Sequence, residues 1–286
     1  MSHIFALISN LGGVTPDWVQ TGNALTFSAG TPGMAALSAT RIAFCETVAD
    51  RIQAYDWSGT DWTTVGSSIL IGLSGGTTSI CALSSTRVVV HEASGGQLKA
   101  FDFNGSSWSA VGSTISAGVA QSGVCALTSS RIAWAGSNGF LKAYDFNGTT
   151  FSQVGSNFSI GGGTGNCTLA ALSSGRVAFY DHQHGEVRAY DFDGSTFSLV
   201  GSGYSLSGGS GSFPAIVALS STRVAIHTDG DFKIHTLDFN GSVWNEVGVS
   251  SWASAGGDTA MAMLTSSRVA FFDTDDNDLT TYDYTG

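Results

Sequence analysis

Basic residues are scarce in this chain of 286 amino acids, which has 11 Lys and Arg against 22 Asp and Glu and a net charge of −11. Only three of the basic residues are lysines. A protein that binds nucleic acid needs Lys and Arg clustered against the phosphates, and an anionic membrane surface makes a similar demand. The composition therefore predicts no nucleic-acid partner and no membrane insertion.

The chain also lacks the segments that direct proteins into or across membranes. Its first residues, MSHIFALISNLGG, carry no positive region and only a short apolar run, which is not typical of a secretory signal. No stretch approaches the roughly 20 apolar residues of a membrane span. We expect a soluble protein that, if it is extracellular or virion-associated, leaves its cell without a signal peptide or inside a larger particle.

Cysteine is scarce as well, with four residues and no CxxC pair. Cys81 and Cys125 occupy the same position in adjacent repeats, which is typical of small apolar core residues rather than of a disulfide or a metal site. Cys45 and Cys167 add no pairing pattern. The cysteines therefore do not indicate whether the protein resides in a reducing or an oxidising compartment.

What the chain has in abundance is a repeat with a period near 45 residues, which indicates an array of supersecondary units. An arginine followed by an aliphatic residue marks each unit, at Arg41, Arg87, Arg131, Arg176, Arg223 and Arg268. An aspartate follows in each unit, at Asp56, Asp102, Asp145, Asp191, Asp238 and Asp283. An aromatic residue before Val-Gly completes the pattern, at Trp62, Trp108, Phe151, Phe197 and Trp244.

Each repeat reads as four short strands. In the second repeat the first strand ends in Ala-Leu before a Ser-Ser-Thr turn, and the second begins at Arg87 with β-branched residues. Asn104-Gly105 predicts a tight hairpin between the third and fourth strands, because both residues tolerate positive φ. No segment shows helical periodicity over ten or more residues. One such sheet cannot bury both of its faces, whereas sheets stacked radially as the blades of a propeller can.

The two ends of the chain are predicted to share one blade. The last repeat stops at Gly286 before a fourth strand, and residues 16–22 match the fourth strand around Trp62. The N-terminal strand should complete the sixth sheet and so remove two exposed edges. We predict an N-terminal extension at 1–16 and one six-bladed domain at 17–286. Its blades are expected at 34–66, 80–112, 124–155, 167–201, 214–248, and 259–286 with 17–22.

With these features the chain resembles the β-propeller superfamily over residues 17–286, with six four-stranded antiparallel blades of WD40-like or lectin-like size. The Gly/Ser/Thr-rich blades are similar in style to bacterial surface lectins and phage tail proteins. The turn from Asp145 to Gly148 resembles the Asp-box of sialidases, although its aspartate stands three residues before the glycine instead of two. Sialidase catalysis also needs an arginine triad, and no set of three arginines stands apart from the repeat.

The repeated and variable residues are expected on opposite faces of the ring. Six equivalent arginines are most simply partners of the six equivalent aspartates, because an unpaired charge would be costly to bury. The Ser-Ser-Thr and Asn-Gly turns should emerge together on one face. The linkers between blades and the loops between second and third strands should emerge on the other. Since those loops differ from blade to blade, a ligand site is expected there.

Candidate ligand-binding side chains on the variable face are His91, Glu92, Asp181, His182, His184, Tyr204, His227, Asp229, Trp252 and Asp273. The two histidines His182 and His184 alternate along the chain, so both rings could reach one metal ion. The aromatic residues Tyr204 and Trp252 lie at blade exits, where rings either stack on sugars or pack between blades.

One acidic loop invites a calcium interpretation. Asp273, Asp275 and Asn277 place oxygen ligands at alternate positions, as at the start of a calcium loop, but the glycine at position six and the acid at position twelve are absent. No cofactor is expected apart from this calcium alternative, and no catalytic residue is predicted.

Three functions remain open from the sequence. The first is a non-catalytic module that recognises a glycan or a surface protein through its variable face. The second is a structural or adhesive component of a larger assembly such as a virion appendage. The third is an enzyme that acts on glycans. The fold alone does not choose among them, because propellers support many functions.

Overall fold

The computed structural model describes residues 17–27, 30, 33–72, 78–118, 121–161, 167–206, 214–228, 230–250 and 257–286. Every regular element in these ranges is a β-strand, and the strands form six four-stranded antiparallel sheets, which confirms the predicted fold class. The same ranges contain no helix long and apolar enough to cross a membrane. The predicted extension at 1–16 lies outside the described residues.

The strands follow the chain blade by blade. Blade 1 contains β2 (Gly33–Ser38), β3 (Arg41–Glu46), β4 (Arg51–Trp57) and β5 (Trp62–Leu70), and blade 2 contains β6 (Thr78–Ser84), β7 (Arg87–Glu92), β8 (Gln97–Phe103) and β9 (Trp108–Ser116). Blade 3 contains β10 (Ser122–Ala126), β11 (Arg131–Gly136), β12 (Phe140–Phe146) and β13 (Phe151–Ser159), and blade 4 contains β14 (Cys167–Ser173), β15 (Arg176–Asp181), β16 (Glu186–Phe192) and β17 (Phe197–Ser205). Blade 5 contains β18 (Ala215–Ala218), β19 (Arg223–Thr228), β20 (Lys233–Phe239) and β21 (Trp244–Val249), and blade 6 contains β22 (Thr259–Thr265), β23 (Arg268–Asp273), β24 (Asp278–Tyr284) and β1 (Trp18–Thr26).

The six sheets form a closed ring. The first strand of each sheet is innermost and contacts the innermost strands of both neighbouring sheets, including β2 with β22. Small and medium side chains are buried at one equivalent position of these strands, namely Ala35, Cys81, Cys125, Ala170, Val217 and Ala262. Larger side chains there would push the inner strands apart, since protein interiors are close-packed.

Blade 6 combines β1, from the N-terminal part of the sequence, with β22, β23 and β24 from its C-terminal part, as the sequence predicted. β1 pairs with β24 antiparallel, from Trp18 opposite Tyr284 to Thr26 opposite Asp278. The rings of Trp18 and Tyr284 lie 5.1 Å apart, and the amide of Thr285 donates to the carbonyl of Asp17 at 2.7 Å. The ring is thus closed by strand pairing.

The outer strands run further than the sequence predicted. The predicted end of blade 1 is Gly66, but β5 continues to Leu70. Gly66, at φ +64°, lies where the pairing of β4 with β5 shifts register, so it marks an irregularity within the strand and not its end. The amide after it, on Ser67, donates to Ser106 O of the next blade at 2.8 Å. A Cβ on Gly66 would lie 2.3 Å from that oxygen. The equivalent hydrogen bond joins four other pairs of neighbouring blades. Its donors there are the amides of Asn23, Ser113, Ser156 and Ser202.

At the junction of blades 5 and 6 a side chain replaces this repeated bond. The amide of Val249 donates to the carboxylate of Asp17 at 3.0 Å, whereas the other blades use the carbonyl of a turn. Blade 6 has no covalent turn between its third and fourth strands, because β24 and β1 come from different parts of the sequence. Asp17 therefore supplies the acceptor that the turn supplies elsewhere.

Antiparallel order places the turns on two opposite faces, as expected. The repeat face carries the turns between first and second strands and those between third and fourth strands, such as 104–107. The loop face carries the turns between second and third strands and the passages from blade to blade. The second-to-third-strand turns include 47–50, 93–96, 137–139, 182–185, 230–232 and 274–277.

On the repeat face every blade carries the same ion pair. Arg131 donates to Asp145 through Nε at 2.6 Å and through a terminal nitrogen at 2.8 Å, and all six blades share this two-bond geometry. Its guanidinium also lies over the ring of Phe192 in the next blade, 5.4 Å from the centroid. Four other arginines stack equivalently, so the pairs also join neighbouring blades.

Candidate binding site on the loop face

The described histidines gather on the loop face. Five of the six histidines lie within the described residues, all in loop-face turns or near the strand ends that adjoin them. Blades 4 and 5 contribute four of these five histidines, and a group of polar side chains surrounds two of the four, His184 and His235. We call this group the blade 4–5 belt; its members are Asp181, His184, Glu186, Arg188, Tyr204, Asp231, His235 and Glu246.

In blade 4 the belt is organised around the buried carboxylate of Asp181, at the end of β15. Asp181 accepts hydrogen bonds from the amides of Gln183 at 3.1 Å and His184 at 3.3 Å, which fixes the turn. Nδ1 of His184 lies 2.7 Å from the same carboxylate, and its side chain is 55% exposed. The buried acid thus holds an imidazole at the surface.

Beside that turn, Arg188 pairs with Glu186 at 2.5 Å and lies 3.8 Å from Asp181. The carboxylate of Glu186 lies over Gly203 of the outer strand, where an added Cβ would come within 1.7 Å of it. His182, in the same turn, has its pKa lowered by burial, and Asp181 opposes this effect. Blade 4 therefore presents one cation and one exposed imidazole among carboxylates.

In blade 5 the belt centres on His235, which is almost completely buried. Its Nδ1 lies 2.5 Å from Glu246 and its Nε2 lies 3.1 Å from Asp231. The hydroxyl of Thr228 donates to Asp231 at 2.7 Å. Because both ring nitrogens face carboxylates, the imidazole is held in one orientation and fixes both acids at the surface.

Tyr204 connects the two halves of the belt. It lies on the outer strand of blade 4, and its hydroxyl donates to Glu246 of blade 5 at 3.4 Å. Its ring packs against the core between the two blades, which is one of the two alternatives that the sequence left open. Burial raises the pKa of its hydroxyl, with Glu246 adding to the shift. The belt thus offers hydrogen-bond donors and acceptors on a rigid support, while the described residues contain no group of three or more His, Cys, Asp or Glu arranged to hold a metal ion.

His91 and His227 occupy equivalent positions in blades 2 and 5, and both are fully buried. Nδ1 of His91 contacts the hydroxyl of Ser122 at 2.5 Å, and Nδ1 of His227 contacts that of Thr259 at 3.2 Å. Each partner hydroxyl belongs to the first strand of the following blade. Burial lowers the pKa of His91 to about 4 and that of His227 to about 3.

The acids at the ends of other second strands bind their own turns. Glu92 accepts from the hydroxyl of Ser94 and from the amide of Gly95, the latter at 2.8 Å. Asp273 accepts from the amide of Asp275 at 2.8 Å, and Asn277 in the same turn takes φ +56°. These contacts stabilise the turns, and the calcium interpretation of 273–277 stays a prediction. Two further candidates, Asp229 and Trp252, lie outside the described residues.

Five members of the belt are absent from the candidates that the sequence predicted, namely Glu186, Arg188, Asp231, His235 and Glu246. One signal would have indicated two of them. The third residue before the repeat aspartate is polar in every blade but is of five different types, being Gln53, Lys99, Lys142, Arg188, His235 and Thr280. A position that is polar in every blade but varies in residue type indicates that each side chain there has partners specific to its own blade.

No protein-family model matches the chain, and no curated protein matches it in sequence. Solved structures do match in shape. A structural genomics protein of unknown function from Bacteroides thetaiotaomicron is 10% identical with a TM-score of 0.65, covering 92% of this chain and 73% of that one. A functionally unknown protein from Desulfotomaculum acetoxidans is 15% identical with a TM-score of 0.57, covering 82% and 75%.

A third similar structure carries the fold in its description. The β-propeller domain of Cps50 (Swd1) from Myceliophteria thermophila is 10% identical with a TM-score of 0.59, covering 94% of this chain and all of that one. At such low identity the likeness speaks for the fold alone. Together with the six sheets and their closure, it identifies this chain as a six-bladed β-propeller.

Proposed function

We propose that this propeller is a binding module and that the blade 4–5 belt on its loop face is a non-catalytic binding site. The observation that carries the proposal is that blades 4 and 5 hold more polar and charged side chains at the surface than their turns need for hydrogen bonding. In blades 2 and 6 the described acids at the strand ends bind turn amides. In blades 4 and 5, by contrast, His184, Glu186, Arg188 and Glu246 reach the surface around such a buried anchor.

A glycan is the ligand class that suits this arrangement best. Sugar hydroxyls both donate and accept hydrogen bonds, and the belt supplies carboxylate acceptors, an arginine donor and an imidazole that can do either. Their positions are fixed by buried partners, so little side-chain entropy is lost on binding. The acidic balance of the belt disfavours sugars that carry phosphate or sulfate.

A glycan array read with matched variants tests this function. The Glu246→Gln variant keeps an acceptor for His235 but removes the charge that also contacts Tyr204. We expect at least a tenfold loss of affinity for the bound glycan. The control is Asp193→Asn on the repeat face, which neutralises an exposed acid at a turn where blade 3 already uses Asn147. Equal losses in both variants, or no glycan bound by the wild type, would contradict the proposal.

A second candidate function, membership of a larger assembly such as a virion, is supported by a different part of the loop face. In blade 1, Val48 is 69% exposed and Leu70 is 73% exposed. Exposed apolar side chains of this kind favour contact with another protein surface. Light scattering on the wild type and on Leu70→Ser tests it. A self-associating wild type and a monomeric variant would support an assembly role, and two monomeric proteins would count against self-assembly through this patch.

A further inference from the structure

A serine and a histidine from adjacent blades meet beside the central axis, away from the belt. Ser122 is the first residue of β10 in blade 3, and it is partly exposed. Its Oγ lies 2.5 Å from Nδ1 of His91 in blade 2. A hydroxyl in contact with an imidazole is the arrangement that activates serine nucleophiles.

The other contact of His91 fixes where the imidazole proton lies. Its Nε2 is 3.2 Å from the carbonyl oxygen of Gly118. A carbonyl accepts but does not donate, so Nε2 carries the hydrogen and Nδ1 is left as the acceptor. The hydroxyl of Ser122 therefore donates to Nδ1. Edge contact with Trp134, at 5.5 Å between ring centroids, holds the imidazole plane in place.

The surroundings keep this imidazole in its basic form near neutral pH. His91 is fully buried, and burial lowers its pKa to about 4. The hydrogen bond to Gly118 and the charge of Glu92 oppose the shift, while the charge of Lys142 adds to it. The imidazole is therefore neutral and able to accept a proton, although burial also makes it a weaker base than a free imidazole. The charge of Glu92 is a contribution that favours the protonated form during the attack.

The backbone of Ser122 is also suitably oriented. The amide of Ser137 donates to the carbonyl of Gln121, so residues 121 and 137 form a hydrogen-bonded pair across β10 and β11. Hydrogen-bonding direction alternates along an antiparallel pair. The amide of Ser122, opposite Gly136, therefore points away from β11 and toward the axial space. It can donate to an oxyanion that forms beside its own Oγ.

The equivalent contact between blades 5 and 6 provides an internal comparison. Thr259 stands in the position of Ser122 and His227 in that of His91, but their atoms are 3.2 Å apart and Thr259 is only 5% exposed. The two sites share their registers and differ in access. A reagent from solvent should therefore distinguish them.

We propose that Ser122 is a nucleophilic serine, with His91 as its general base, that reacts with small carboxylic esters at the axial mouth between blades 2 and 3. Oγ of Ser122 attacks the ester carbonyl carbon while its proton passes to Nδ1 of His91. The carbon–oxygen bond to the alcohol then breaks, and the alcohol leaves with that proton. Water attacks the acyl-serine with His91 again taking the proton, and return of that proton to Oγ releases the acid.

A fluorophosphonate probe tests the site directly, because Oγ displaces fluoride from phosphorus and the adduct is stable. We expect intact-mass analysis of the folded wild type to show one adduct, with peptide mapping placing it on Ser122. Ser122→Ala should give no adduct. His91→Asn, which can still hydrogen-bond Ser122 but is not a base, should label at least 100-fold more slowly, in line with general-base contributions of about 10²–10⁴.

Several results would overturn the proposal. These are the absence of an adduct on folded wild type, an adduct that persists in Ser122→Ala, or an undiminished labelling rate in folded His91→Asn. If His91→Asn does not fold, Ser122→Ala still decides the site, because it leaves the bond from His91 to Gly118 intact. Turnover of p-nitrophenyl acetate that is equal in wild type and Ser122→Ala would also remove the ester reaction from this serine.

Discussion

The repeat face and the loop face solve the same problem, how to hold six sheets together, in different ways. On the repeat face one contact recurs: in all six blades an arginine binds its own aspartate, and in five of them it also stacks on a ring of the next blade. On the loop face each turn uses its own partners, such as Asp181 with His184 or Glu92 with Ser94. Repetition marks what the ring requires in every blade. Variation marks where residues can change without loss of the fold, and hence where a ligand can be recognised.

The largest expected difference between the two faces is the loss of folding stability that the buried loop-face histidines cause as the pH falls. The described histidines all lie toward the loop face, and His91 and His227 are buried with their pKa lowered to about 4 and about 3. An unfolded imidazole with pKa near 6.5 takes up a proton first, so stability is full above pH 6.5 and falls as pH falls toward the folded pKa. At pH 5 each imidazole should cost about 2 kcal/mol.

Urea unfolding at pH 7 and pH 5 measures this loss. We expect His227→Gln to reduce the loss between the two pH values by about 2 kcal/mol, whatever its stability at pH 7. The control is His184→Gln, because that side chain is 55% exposed. If His227→Gln and the wild type lose the same stability, the loop face is not the acid-sensitive side.

The second test removes one copy of the repeated contact. Arg131→Ala deletes two hydrogen bonds to Asp145 and the stacking on Phe192. The pair is partly exposed, so we expect a loss of about 1–2 kcal/mol, seen as a lower melting temperature. Binding of any glycan that the array identifies should be unchanged, because Arg131 lies on the opposite face from the belt. Lost binding with unchanged stability would reverse the roles given to the two faces.

Much of the ring was predictable because its rules are local. The period, the strand alternation around Arg87, and the missing fourth strand after Tyr284 all lie in short stretches of sequence. The belt was harder to predict, because His235 binds Glu246 from a neighbouring strand and Tyr204 reaches it from another blade. Such partners follow from how strands are placed, which a single sequence does not contain. The continuation of β5 past Gly66 was not predicted, because the repeated pattern stops at Val-Gly and the residues after it differ from blade to blade.

One contact on the repeat-face half of the blades is present at only some of the equivalent places: the hydrogen bond from a tryptophan indole to a threonine of the preceding blade. Trp18 donates from its indole to Thr236 of blade 5 at 2.9 Å, and Trp62 donates to Thr281 of blade 6 at 3.2 Å. At the equivalent place Trp108 and Trp244 have buried indole nitrogens without a hydrogen-bond partner. The residue two before the repeat aspartate explains the difference, since it is threonine in blades 5 and 6 and alanine in the others, at Ala54, Ala100, Ala143 and Ala189.

These two bonds flank blade 6, the sheet that no covalent turn holds together. Thr236→Val keeps the shape of the side chain but leaves the indole N–H of Trp18 buried without that acceptor, which should cost about 1–2 kcal/mol in urea unfolding. Ala189→Ser is the matched reverse change, because it adds an oxygen beside Trp244 with little volume, and we expect a gain of up to about 1 kcal/mol. If both changes destabilise equally, the bonds are incidental to closure. If only the first does so while the second stabilises, the ring is reinforced where its strands are joined by pairing alone.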